Sequence, residues 1–216
     1  TEDLEAGRLL VRFGASKVGF EPREEDRRRT AWHEAGQAVV QMLLCPGQDI
    51  DHISIVANEG GALGFVAWQG DERSTDLKES DVRARIAVAM AGRSGESLTP
   101  GFGGVLTTGA TSDLSQATRS AWLAITRYGM DERFGPLSLD GVPDSEQAAC
   151  LPLASERVHE WLAEGRRRAD EVVSRHRSFL DELAQLLLER ERVDGASLGP
   201  FRGRLLAAEA EMRGAR

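Results

Sequence analysis

The segment Thr30-Ala31-Trp32-His33-Glu34-Ala35-Gly36-Gln37-Ala38-Val39 holds the residues of this chain best suited to chemistry. It follows the pattern H-E-x-x-H, except that Gln37 stands at the final histidine position. In the intact pattern two imidazoles at i and i+4 share one helix face and bind a single Zn²⁺, and the adjacent glutamate serves as general base. Here His33 offers one imidazole and Glu34 the carboxylate, and the second donor is an amide. Zn²⁺ lowers the pKa of its water from ~15.7 to ~7, worth roughly 12 kcal/mol at 1.36 kcal/mol per unit. A carboxylate working alone as general base supplies about 10²–10⁴-fold, or ~3–5 kcal/mol. Retention of zinc therefore decides whether such a site hydrolyses anything. A Gln carbonyl is a neutral, hard donor, whereas Zn²⁺ favours imidazole nitrogen or thiolate, so zinc is expected to be weak or absent.

A helix must carry these residues. From Glu24 to about Leu44, Trp32, Ala35, Val39, Met42 and Leu43 recur at helical spacing, and Pro46-Gly47 ends the run. Ile53, Ile55 and Ala57, then Leu63, Phe65 and Ala67 after Gly60-Gly61, alternate as in a β-ribbon. Its second strand, with Leu63, Gly64 and Phe65, is suited to accept an extended substrate by edge pairing; a plain ribbon packed on helices is the equal alternative. Helices are expected from about Asp76 to Leu98 and from Thr111 or Ser112 to Tyr128, with a glycine- and threonine-rich loop between them. Residues 131–150 read as irregular, Ser155 to about Arg192 as one long helix or two, and Leu198 to Met212 as a final helix after Asp194-Gly195. A short helix is expected over residues 1–17. The resulting organisation is an N-terminal helix and linker (1–20), a main domain (21–192) and a C-terminal helix (193–216) packed on it.

The chain has 216 residues and a net charge of -8, which argues against nucleic acid as a partner because phosphate binding needs a cationic surface. Cys45 and Cys150 lie far apart and form no C-x-x-C, so two thiols are expected rather than a disulfide. No run approaches eighteen apolar residues. The expected compartment is cytoplasmic, with membrane association only through segments outside this sequence if the full-length chain is longer.

Four separated segments together resemble the peptidase domain of the FtsH-type membrane-bound ATP-dependent zinc proteases. Thr30-Ala31-Trp32-His33-Glu34-Ala35-Gly36 is similar to T-A-Y-H-E-A-G-H. His52-Ile53-Ser54-Ile55 with Gly61-Ala62-Leu63-Gly64-Phe65 resembles H-K-V-T-I … A-L-G-Y. Ala91-Gly92-Arg93-Ser94-Gly95-Glu96 resembles G-G-R-A-A-E. Thr107 to Leu114, with Ala117-Thr118 and Tyr128-Gly129-Met130, resembles S-T-G-A-S-N-D-L … A-T … Y-G-M. The order and spacing run from about residue 24 to 192. The resemblance implies a mainly α fold, an array of helices with a two- or three-stranded β-ribbon. It implies His33 as first metal ligand, Glu34 as general base, Asp113 as third ligand, and Gln37 where the family's second histidine stands. It implies peptide or unfolded protein as substrate, and a homo-oligomer or a separate ATPase as partner. No G-x-x-x-x-G-K-[ST] occurs, so no ATP site is expected in this chain.

The missing nitrogen has no evident substitute. His52 reads as a polar residue at a strand start, His159 and His176 as solvated, and Glu96 as a helix-end cap or salt-bridge partner rather than a ligand. Two functions follow: a zinc peptidase domain with activity weakened or lost through Gln37, or an inactive pseudopeptidase that persists as a binding or scaffold module.

Overall fold

The computed structural model of the chain describes residues 22–56, 64–68, 76–102, 104–105 and 107–214. Among these residues the architecture is mainly α, an array of helices with a small antiparallel sheet. The elements are α1 (Glu24–Leu44), β1 (Ile50–Ser54), β2 (Phe65–Trp68), α2 (Glu79–Glu96), α3 (Thr111–Thr126), a 3₁₀ turn (Leu139–Gly141), α4 (Asp144–Arg175), α5 (Arg177–Arg190), β3 (Arg192–Asp194) and α6 (Gly195–Gly214). The expected helix over residues 1–17, and Ala57 and Leu63 of the expected ribbon, lie outside the described residues.

Helix α1 is the axis of the fold. Every residue from Ala31 to Met42 is buried, polar ones included. A helix covered all round needs partners on every side, and α2, α5, α4 and the sheet supply them. Its N-terminal turn carries Glu24, Glu25 and Asp26, which suit the positive end of the helix dipole. The α1–α2 crossing is a backbone-to-backbone contact. A Cβ on Gly36 would lie 2.5 Å from the Ala91 carbonyl oxygen, and one on Gly95 would overlap the Trp32 carbonyl. Trp32 then reaches α5, donating Nε1–H to Asp181 at 2.9 Å. Arg177 binds the same carboxylate and donates to the Leu98 carbonyl at the end of α2.

The sheet has strand order β2-β1-β3, with β1 antiparallel to both neighbours. Three strands are the larger of the two expected numbers, but the third falls at Arg192–Asp194, which was not read as a strand. Helix α5 ends on Glu191 at φ 60°, a left-handed turn that reverses the chain and lays Val193 opposite Ile53. Helix α6 follows at once, with Phe201 and Leu205 in the core and Arg202 donating to the Pro46 carbonyl at 2.6 Å.

Two expectations are corrected, and one open alternative is decided. Helix α4 starts at Asp144 rather than Ser155, so the irregular stretch ends at Pro143. Pro143 marks that start because a proline before the first turn gives up an N–H that no helical carbonyl would accept. The long C-terminal segment is two helices, broken at His176. His176 itself is buried rather than solvated, because the break turns its ring towards α6, where Nε2 meets Glu209 at 2.8 Å. No helix among the described residues is long and apolar enough to cross a membrane.

The crossing makes two glycines differ in sign. Gly95→Ala is expected to destabilise by about 1–3 kcal/mol through overpacking. Gly203→Ala on α6, where a Cβ meets nothing within 4 Å, is expected to stabilise by ~0.5–1 kcal/mol. Urea unfolding of both variants checks this.

Candidate metal centre

The residues that could hold an ion sit where three helices converge. Helix α1 brings His33, Glu34 and Gln37, the end of α2 brings Glu96, and the first turn of α3 brings Asp113. The His33 ring rests against α2 at Gly92, where any Cβ would overlap Cε1 and Nε2. Its two nitrogens face opposite carboxylates. Nδ1 lies 2.6 Å from Glu96 Oε1, and Nε2 lies 3.1 Å from Asp113 Oδ2. Gln37 Nε2 lies 3.3 Å from His33 Nε2, one helical turn along α1. The amide turned by 180° presents its carbonyl oxygen instead, which suits a protonated ring with no free lone pair.

The electrostatics follow from this enclosure. Burial alone pulls the His33 imidazolium down, but the hydrogen bonds it donates to Asp113 and Glu96 outweigh it and raise the pKa to about 10. Burial pushes the Glu34 carboxyl up to about 8; His33 opposes this, and Asp113 and Glu96 add to it. Glu34 Oε2 is buried with no hydrogen-bond partner among the described residues. Gly64, just before β2, lies against its other oxygen, since a Cβ there would lie 2.7 Å from Glu34 Oε1. Burial raises Glu96, but its bonds from His33 and Thr107 prevail and hold it below the usual carboxylate range.

The donor set can be tested against a metal. Ligand atoms at ~2.0–2.2 Å from a tetrahedral ion lie about 3.3–3.6 Å apart. The separations of 3.1 and 3.3 Å from His33 Nε2 to Asp113 and to Gln37 are close to that spacing. Glu96 is excluded because it occupies the other edge of the ring. Two of the three separations in a set made of His33 Nε2, Asp113 Oδ2 and the Gln37 amide are thus near the tetrahedral spacing, with one imidazole fewer than H-E-x-x-H provides. Among the described residues, no group of three His, Cys, Asp or Glu side chains is arranged to hold a metal. The neutral amide has to make up the set.

A family model described as peptidase family M41 matches residues 21–199. This chain belongs to peptidase family M41. The ATP-dependent zinc metalloprotease FtsH of Chloroflexus aggregans is 35% identical over 188 residues, covering 80% of this chain and 28% of that protein. The FtsH of Thermobaculum terrenum is 36% identical over 183 residues, covering 79% and 28%. The chloroplastic/mitochondrial FTSH 11 of Arabidopsis thaliana is 32% identical over 191 residues, covering 88% and 23%. The chain therefore spans about a quarter of the length of these relatives. Within that family match, Gln37 stands at the final position of the H-E-x-x-H pattern.

Of the residues singled out from sequence, His33, Gln37 and Asp113 come together, and Glu34 lies beside them under Gly64. Leu63 lies outside the described residues. Phe65 opens β2, which pairs with β1. His52 lies inside β1, its Nδ1 3.4 Å from Asp51 Oδ2. His159 is exposed on α4, its Nδ1 2.8 Å from the Ser155 carbonyl. Glu96 is a salt-bridge partner, as one of its readings had it, but that reading did not identify His33 as the partner. The available signal was its place in the segment resembling G-G-R-A-A-E.

The pKa shifts carry a sign. The unfolded His33 imidazole releases its proton near 6.5 and the folded one near 10, so its contribution is full below pH 6.5 and lost as pH rises towards 10. Glu34 acts in the same direction between 4.5 and about 8, because the folded carboxyl keeps its proton longer than the unfolded one. The unfolding free energy of the chelator-treated protein is expected to fall from pH 6.5 to 9.5. Glu34→Gln should flatten the slope below pH 8. Urea titrations at several pH values check both, and a stability that rises over that range contradicts the assignment.

Proposed function

We propose that this chain is a degenerate FtsH-type peptidase module whose hydrolysis of peptides or unfolded protein is weakened because Gln37 replaces a metal ligand. The observation that carries the reading is the Gln37 amide 3.3 Å from His33 Nε2, on the same side of the ring as Asp113. A bound Zn²⁺ would supply the Lewis acidity that activates a water near neutral pH. His33 and Asp113 would hold the ion, and Glu34 would take the proton released by the attacking water and return it to the leaving amine. Disturbing an outer-shell partner of a metal typically lowers affinity or activity by about 10–100-fold, and substituting a ligand itself should do at least as much. Substrates that need unfolding would depend on a separate ATPase, and the relatives named ATP-dependent zinc metalloproteases FtsH indicate its class. Self-association into an oligomer belongs to the same reading, as does membrane attachment through segments outside this sequence.

A second reading has its own support. Both nitrogens of His33 lie within hydrogen-bond distance of carboxylates, an arrangement that also suits a structural clamp. The module would then bind or scaffold rather than cleave.

Zinc content after dialysis and chelator-sensitive cleavage of casein distinguish the two. The native chain is expected to retain less than one zinc and to cleave slowly when zinc is in excess. Gln37→His should raise zinc to about one per chain and cleavage by about 10–100-fold. Glu34→Gln in that background should abolish cleavage without lowering the melting temperature. A native chain inert at any zinc concentration favours the scaffold, and a Gln37→His variant that gains no zinc overturns the peptidase reading.

A further inference from the structure

We propose that Thr107 is a positioning residue for His33, acting through Glu96, so that the loop between α2 and α3 sets the orientation of the imidazole. The inference rests on the reading of His33 as the metal-facing imidazole. Thr107 donates its hydroxyl to Glu96 Oε2 at 3.0 Å and accepts the Gly109 N–H at 3.2 Å. A hydroxyl has one proton, so accepting from Gly109 leaves that proton for the carboxylate. The other oxygen, Glu96 Oε1, lies 2.6 Å from His33 Nδ1.

The need for Thr107 follows from torsional freedom. The terminal torsion of a glutamate is broad and two-fold, so the bond to His33 alone leaves the carboxylate plane free to turn. A second bond on the other oxygen fixes the plane and aims Oε1 at Nδ1. The loop is held to this relay from both sides. Arg93 donates to the Thr107 carbonyl at 3.4 Å, and a Cβ on Gly109 would lie 3.3 Å from Thr107 Oγ1 and 3.6 Å from Glu96 Oε1. The same loop runs into α3 and Asp113, so one segment sets both partners of the ring, directly at Nε2 and through Thr107 and Glu96 at Nδ1. Anything that lifts the loop releases the imidazole on both edges.

The test is proton–nitrogen NMR of the whole metal-free chain, following the His33 Nδ1–H resonance, assigned by its loss in His33→Gln. Thr107→Val should move this resonance upfield and speed its exchange with water, with helical circular dichroism unchanged. Thr107→Ser, which keeps the hydroxyl, should leave it in place. An unmoved resonance in Thr107→Val overturns the proposal. So does its loss in Thr107→Ser, an arm that holds even if the valine variant fails to fold. If Gln37→His gains no zinc while the His33 resonance still follows Thr107, the metal reading fails and the relay stands.

Discussion

Everything at the candidate site depends on how closely α1 and α2 approach. At Gly36 and Gly95 the two backbones touch, and at Gly92 the same absence of side chain leaves room for the His33 ring. With α2 that close, the ring is held between the carboxylate at the end of α2 and the one that opens α3. Larger residues along the crossing would push the helices apart and separate Glu96 from His33. The glycines therefore belong to the site's geometry as well as to the core.

The clamp balances a buried charge arrangement. Removing an imidazolium and two carboxylates from water is costly, and pairing offsets it only when the remaining lone pairs are satisfied. Glu96 meets that condition, with both oxygens engaged. Glu34 does not; its Oε2 has no partner among the described residues, and burial keeps it protonated to a higher pH than an ordinary carboxyl. A buried acid left unpaired beside a paired imidazole is a poor arrangement for stability and a useful one for proton transfer. Gln37 decides how much use that can be, because it leaves the ring's outer nitrogen facing one carboxylate and one neutral amide.

The fold was largely legible where local signals were strong. Helix α1 was read from its apolar spacing and stopped by Pro46-Gly47, and it ends at Leu44 as expected. Helix α3 starts at Thr111, close to the expected place, although Ala110 stands at the cap position for which Thr111 or Ser112 was expected. Strand β3 was missed because Arg192-Val193-Asp194 is too short to show alternation, and its pairing with β1 is a tertiary event. The start of α4 was missed because Pro136, Gly141 and Pro143 marked the stretch as irregular, although Pro143 directly precedes the helix. His176 was read as solvated from its charged sequence neighbours, and its buried contact with Glu209 depends on the bend between α4 and α5. At the site, the pairing of His33 with Asp113, 80 positions apart, came from resemblance to a family and not from periodicity. Thr107 had no chemical signature of its own, since a threonine in a glycine-rich loop is unremarkable until Glu96 is seen beside it.

The central claim is that His33 Nε2 and Asp113 flank a cation pocket one strong donor short. Titration with Co²⁺, whose visible bands intensify in tetrahedral nitrogen and oxygen surroundings, tests it directly. The native chain should give faint bands that saturate only at high metal, and Gln37→His should give intense bands at one equivalent, with affinity about 10–100-fold tighter or more. Superimposable titrations for the two proteins would contradict the account.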